Sequence, residues 1–271
     1  MLLGTFDLQS RFFFLAGPCL VEGREMLRRT AGHLAGLSER YAVPIILKGS
    51  FKKANRTSGD SFMSIGDEEA LAILAETGAE FGMSTVTDIH SERDAELAAR
   101  YVDLLQIPAF LCRQTELIQA AARTGKPLNI KKGQFVAPED MEHAVRKARA
   151  AGGDTVMLCE RGTTFGYHNL VVDMRGLVIM GRAGVPVVYD ATHSVQLPSA
   201  SGVSGGQPEF ILPLARAAIA VGVQGVFFET HPDPSRALSD AASQLPLDRA
   251  DDFVRQCVAA HEFFSGIATH G

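Results

Sequence analysis

Cysteine is scarce in this sequence and has no pattern. Cys19, Cys112, Cys159 and Cys257 show no short paired spacing and no finger-like repeat. Such a set suits reduced thiols in the cytoplasm better than a disulfide framework. Positive charge is not in excess either. The formal net charge of -5 argues against nucleic acid as a general partner, because phosphate backbones reward a basic surface. Long apolar runs are missing. The stretch from Phe12 to Leu15 is short and is preceded by Asp7 rather than by a basic segment, so neither a targeting nor a membrane segment is expected. Disordered composition is also absent: 46% hydrophobic and 21% charged residues can bury a large core.

What the chain does contain is a rhythm. Eight short apolar runs, at 12–16, 43–47, 80–85, 101–105, 127–130, 155–159, 185–189 and 225–228, each end at a polar, charged or metal-philic residue. These are Cys19, Lys48, Asp88, Gln106, Lys131 with Lys132, Glu160 with Arg161, Asp190 with His193, and Glu229 with His231. Amphipathic helical stretches at 25–37, 67–76, 91–100, 138–150, 208–221 and 250–264 lie between the runs. Asp67 and Ser91 read as helix caps, and Gly152-Gly153 reads as a stop. Alternating strands and helices predict a parallel sheet, and eight units close it. The 271 residues therefore predict one (β/α)8 TIM barrel of the α/β class, a single catalytic domain over 1–271, with chemistry at the carboxyl ends of the strands.

Two segments break the rhythm, 51–65 and 196–207. Both follow strand ends and are rich in small polar residues, as lids and substrate clamps are. The first belongs to a run of four cations, Lys48, Lys52, Lys53 and Arg56, within nine residues of an acidic protein. An isolated lysine is ordinarily solvated, but Lys131, Lys132 and Arg161 recur at further strand ends. Cations facing one another across one mouth need an anion between them, which points to a phosphorylated or carboxylated substrate.

Cys19, His193, Glu229 and Asp240 come mostly from the ends of strands one, seven and eight, which are neighbours in a closed barrel. Thiolate, imidazole and carboxylate together favour a divalent transition ion over magnesium or calcium. A lone cysteine is more often a small buried apolar residue, and His193 is equally suited to act as a base.

The segments Gly17-Pro18-Cys19, 48–58 (KGSFKKANRTS), 106–115 (QIPAFLCRQT), 129–135 (NIKKGQF), 160–169 (ERGTTFGYHN), 190–198 (DATHSVQLP) and 229–234 (ETHPDP) closely resemble the 3-deoxy-D-manno-octulosonate-8-phosphate synthases. The resemblance runs from about Phe12 to about Phe253. It implies a barrel that is usually a homotetramer and that condenses phosphoenolpyruvate with arabinose 5-phosphate on the route to the lipopolysaccharide inner core. It further implies that Lys132 and Arg161, with Gln106 nearby, hold phosphoenolpyruvate, and that Lys53 reaches its carboxylate. Lys48, Asn55 and Asp88 would face the sugar, while Arg56 and Thr57 would bind its phosphate from a neighbouring subunit.

Metal-independent members carry Asn where this chain has Cys19, and read Cys-Asp-Gly where it has Ser239-Asp240-Ala241. The resemblance is therefore to the metal-requiring class, with Cys19, His193, Glu229 and Asp240 as ligands to Mn, Fe(II), Co, Zn or Cd. Lys48, His193 and Asp240 are the candidate catalytic groups. The 3-deoxy-D-arabino-heptulosonate-7-phosphate synthases, which use erythrose 4-phosphate, are the nearest alternative. Their second-strand loop reads Lys-Pro-Arg-Thr-Ser, whereas here Lys53 is followed by Ala54-Asn55-Arg56.

Overall fold

Eight parallel strands close on themselves in a computed structural model that describes residues 2–3, 6–54, 63–197, 205–239 and 241–268. The strands are β1 (Phe13–Gly17), β2 (Ile45–Lys48), β3 (Thr85–Asp88), β4 (Leu104–Ile107), β5 (Leu128–Lys131), β6 (Val156–Glu160), β7 (Val187–Asp190) and β8 (Gly225–His231). Each pairs with its neighbours in chain order, and β8 pairs with both β7 and β1. The helices are α1 (Arg24–Arg40), α2 (Asp67–Glu80), α3 (Glu92–Ala98), α4 (Thr115–Arg123), α5 (Met141–Ala150), α6 (Met174–Gly181), α7 (Ile211–Ala220) and α8 (Ala250–Ala268). The predicted TIM barrel is thus the observed architecture. Among the described residues no helix is long and apolar enough to cross a membrane.

Side chains alternate across each strand, so the barrel has two apolar compartments. Phe13, Leu15, Ile46, Val86, Leu104, Met157, Cys159, Val188 and Phe227 fill the lumen, with Leu8 among them. Phe14, Leu47, Leu105, Ile130, Leu158 and Phe228 face the helices. At one seam the backbones approach unusually closely. A Cβ on Gly17 would lie 2.0 Å from the Lys48 carbonyl oxygen, so only glycine lets the end of β1 lie against β2.

Several expectations need correction. The third run, 80–85, meets its strand only at Thr85: Glu80 ends α2, a turn follows, and β3 is Thr85–Asp88. Gly66, not Asp67, is the cap position of α2, and Asp67 lies in its first turn. Ser91 does cap α3, accepting the Asp94 N–H at 3.2 Å. Helices α4 and α6 were not anticipated. The stop after α5 is as read: Gly152 takes φ 91, and the Gly153 N–H reaches the Ala148 carbonyl at 2.9 Å.

Candidate active site

Strand parity carries polar side chains past the apolar lumen to the carboxyl ends. On β2, Ile46 faces the lumen, so Lys48 does too. The same step of two places Asp88 above Val86, Gln106 above Leu104, Asp190 above Val188 and Glu229 above Phe227. These residues join into one ring around the barrel. Asn129 Nδ2 donates to Gln106 Oε1 at 2.8 Å, and Gln106 Nε2 donates to Asp88 Oδ1 at 2.7 Å. Asp88 lies 3.8 Å from Lys48 Nζ, which donates to Glu229 Oε1 at 2.5 Å and to the Cys19 carbonyl at 2.9 Å. Glu229 Oε1 is 3.8 Å from His193 Nε2, and His193 Nδ1 meets Asp190 Oδ2 at 2.9 Å. Lys131 Nζ donates to Asp190 Oδ2 at 2.6 Å, lies over the Phe227 ring at 3.7 Å, and returns the ring to β5.

Three charges of this ring, Asp88, Asp190 and Lys131, are held by their neighbours. Burial alone would raise the Asp88 pKa, but the ammonium groups of Lys48, Lys53 and Lys131 and a hydrogen bond from Ser50 hold it well below the usual carboxylate range. Burial also opposes ionisation of Asp190. His193 and Lys131 more than offset this and keep it ionised. Lys131 is correspondingly raised: desolvation lowers it, and Asp190, Cys159 and Asp88 together outweigh that effect. Asp88, Asp190 and Lys131 are therefore held in their charged forms in a buried site, where electrostatic interactions are strong.

Arg161, one residue past β6, is buried and donates through Nη2 to Gln196 Oε1 at 3.0 Å. Lys53 is anchored by its backbone N–H to the Met63 carbonyl at 3.0 Å. Lys52 is occupied structurally, between Asp94 at 2.7 Å and Asp67 at 3.2 Å. Asn55, Arg56 and Thr57 lie outside the described residues, as do Asp240 and the middle of the 196–207 segment.

Lys132 is not brought to the ring. Its ammonium donates to the carbonyls of Gly133 and Val136 and to Thr163 Oγ1 at 3.0–3.3 Å, and lies 3.5 Å from Glu160 Oε2. Glu160 in turn accepts the Gly162 N–H at 2.6 Å. Lys132 and Glu160 have the outward parity of Ile130 and Leu158, and they tie two loops together behind the mouth. Lys131 is the inward lysine, and the alternation 129, 131 was the sequence signal for it.

Among the described residues no three His, Cys, Asp or Glu side chains converge tightly enough to hold a metal. The donors nonetheless fit one chemically. Asp190 occupies Nδ1 of His193 and leaves Nε2 directed at Glu229, the arrangement in which a carboxylate orients a ligating imidazole. Lys48 bridges Glu229 to the backbone of Cys19. The Cys19 thiol donates to Ser239 Oγ at 3.1 Å, beside Asp240 in sequence. Sulfur, nitrogen and oxygen donors of this mix suit a borderline transition ion.

Residues 8–263 match the DAHP synthetase I family. A 2-dehydro-3-deoxyphosphooctonate aldolase of Acidithiobacillus ferrooxidans is 54% identical over 249 residues, 92% of this chain and 89% of that protein. The aldolase of Legionella pneumophila is 50% identical over 263 residues, 97% and 96% of the two chains. That of Methylococcus capsulatus is 54% identical over 243 residues, 89% and 86%. The family takes its name from the heptulosonate enzymes, while the full-length relatives carry the octonate name. Identity of half or more along nearly the whole chain is the finer guide of the two. The chain belongs to the DAHP synthetase I family and, within it, groups with the 2-dehydro-3-deoxyphosphooctonate aldolases.

Proposed function

We propose that this chain joins phosphoenolpyruvate to D-arabinose 5-phosphate and water, giving 3-deoxy-D-manno-octulosonate 8-phosphate and inorganic phosphate, for the lipopolysaccharide inner core. The carrying observation is the 50–54% identity to the octonate aldolases across most of both chains. In the reaction, C3 of the enol attacks the aldehyde carbon, whose oxygen takes a proton. Water adds at the cationic C2 and loses a proton, and the resulting hemiketal phosphate expels phosphate to leave a ketone.

The site must hold two anions face to face in reacting orientation. Arg161 and Lys131, with Gln106 nearby, would hold phosphoenolpyruvate, and Lys53 would reach its carboxylate. Lys131 takes the role that resemblance gave to Lys132, because the Lys132 ammonium is consumed by loop carbonyls. Lys48 would polarise the aldehyde oxygen, with Asp88 and Asn55 against the sugar hydroxyls. Arg56 and Thr57 would bind the sugar phosphate from a neighbouring subunit. His193 and Asp240 would assist the proton leaving water. Cys19, His193, Glu229 and Asp240 would hold a divalent ion, Mn, Fe(II), Co, Zn or Cd. When bound, such an ion supplies Lewis-acid activation of an oxygen atom.

The homotetramer with shared sites is what the resemblance implies, and an aromatic rim supports association of this chain with further copies. Phe110, Phe135, Phe165 and Tyr167 are exposed on the loops after β4, β5 and β6. The loops are contiguous, since the Thr164 N–H reaches the Gln134 carbonyl at 3.0 Å. Apolar patches of this kind mark surfaces that associate. The four cysteines, none of them in a disulfide, fit a reducing cytoplasm.

Phosphate release measured with each of two aldoses tests the reading. Turnover with arabinose 5-phosphate and little with erythrose 4-phosphate is expected. The reverse preference would return the chain to the heptulosonate synthases.

A further inference from the structure

Behind Cys19 lies a buried amide that no motif announces. Gln244 belongs to the loop that follows β8, and its side chain closes two hydrogen bonds. Its Oε1 accepts the Cys19 backbone N–H at 3.2 Å, and its Nε2 donates to the Ser239 carbonyl at 2.8 Å. One partner is a donor and the other an acceptor, so only this orientation of the amide satisfies both. Gln244 is 4% exposed, so water cannot readily replace either bond. The two partners are far apart in sequence, and Gln244 thereby fixes the end of β1 against the segment that leads into Asp240.

The rest of the loop has anchors of its own. Leu245 pairs with Thr230 of β8, whose Oγ1 donates to the Leu245 carbonyl at 2.8 Å. Ser243 Oγ accepts from Gln196 Nε2 at 3.3 Å, and Gln196 accepts from Arg161. Loss of the Gln244 amide would thus leave the loop attached at Leu245 and Ser243. It would remove the tie between the Cys19 backbone and the Ser239 carbonyl, leaving the weaker hydrogen bond from the Cys19 thiol to Ser239 Oγ.

We propose that Gln244 is a positioning residue for the Cys19 donor: its amide clamps the Cys19 backbone to the Ser239 carbonyl, so that the thiol is held in place before an ion arrives. The proposal rests on the metal reading above. It adds that affinity depends on a residue that touches no ion, as partners behind the ligands commonly do.

The test uses the full-length protein freed of metal and titrated with Co2+ alone, following the thiolate-to-cobalt charge-transfer band. Wild type should show the band, and Cys19→Ala should lack it. Gln244→Met, of similar length but without the amide, should bind Co2+ about ten- to a hundredfold more weakly, with an altered band and unchanged helical circular dichroism. Gln244→Glu keeps an acceptor for the Cys19 N–H but loses the donor. Its added charge alone would tighten cation binding, so weaker binding in this variant reads as lost positioning, and this variant decides if Gln244→Met fails to fold. Wild-type affinity and band shape in the folded variants would overturn the role of Gln244 while leaving the metal reading intact. A wild-type protein with no Cys19-dependent band would instead overturn the metal reading, and the role of Gln244 with it.

Discussion

Lys131 and Lys132 are adjacent in sequence, yet their ammonium groups serve opposite sides of the barrel wall. Lys131 meets Asp190 and the Phe227 ring in the lumen, whereas Lys132 is spent on loop carbonyls and Glu160. Lys131→Met should therefore lose about a hundredfold or more in kcat/KM for phosphoenolpyruvate, the scale of a lost electrostatic donor. Lys132→Met should mainly destabilise, by about 3–5 kcal/mol, because Glu160 is left buried without its cation. Steady-state kinetics and urea denaturation on both variants check this. The opposite pattern would restore Lys132 to the substrate.

Asp88 gives a pH signature. Its folded-state pKa lies below the unfolded value, so it contributes stability that is fully present above about pH 4 and is lost as pH falls through the folded value. Asp88→Asn should thus unfold at lower temperature than wild type at pH 6 to 8. The gap should narrow as pH drops below about 4. A gap constant with pH would mean that the carboxylate is not held ionised by the lysines around it.

Chelation should abolish turnover, and readdition of Mn, Fe(II), Co, Zn or Cd ions should restore it to differing degrees. Cys19→Ala should lose the ion and remain folded, since Cys19 sits at the barrel mouth and a thiol is small. Turnover in protein shown by elemental analysis to be metal-free would defeat the first expectation. Unchanged metal content in Cys19→Ala would remove that residue from the ligand set.

Arg56 and Arg161 should separate by substrate. Arg56→Ala should raise KM for arabinose 5-phosphate about ten- to a hundredfold, the loss of a charge-assisted pair of about 1.5–3 kcal/mol. Arg161→Ala should damage phosphoenolpyruvate binding instead. If Arg56 crosses between subunits, mixing the two inactive variants should regenerate some intact sites. Proven subunit exchange without recovered activity would place Arg56 in its own subunit's site.

The barrel was legible because buried parallel strands are short and apolar: seven of the eight strands lie on their runs with the boundary moved by a few residues, and the third shares only Thr85 with its run. The third was misplaced for a physical reason. Its residues are Thr85, Val86, Thr87 and Asp88, so half of a fully buried strand consists of threonines whose hydroxyls are satisfied by distant segments, Thr87 Oγ1 donating to the Gly49 carbonyl at 2.8 Å and Thr85 Oγ1 to Asp103 Oδ2 at 3.2 Å. Phe81 and Met83, more apolar, sit in the preceding turn. Helix α6 escaped notice because Met174–Gly181 is too apolar to show a polar face. At the site, residue types at strand ends identified most of the ring. The division of labour between Lys131 and Lys132 needed strand parity, and Asp190 entered only as a neighbour of His193. Gln244 could not be read at all, since its partners lie 225 and 5 positions away.

The seam between β8 and β1 has a consequence for synthesis. Until Gly225–His231 emerges from the ribosome, β1 and β7 are both open sheet edges, and such edges invite pairing with other chains. The ring is open over the same interval: Lys48 awaits Glu229, so the mouth of the nascent barrel carries one buried ammonium without its closest carboxylate. Premature termination shortly before β8 would therefore release an aggregation-prone product with an incomplete site, whereas the full chain hides its last edge and pairs Lys48 with the same strand.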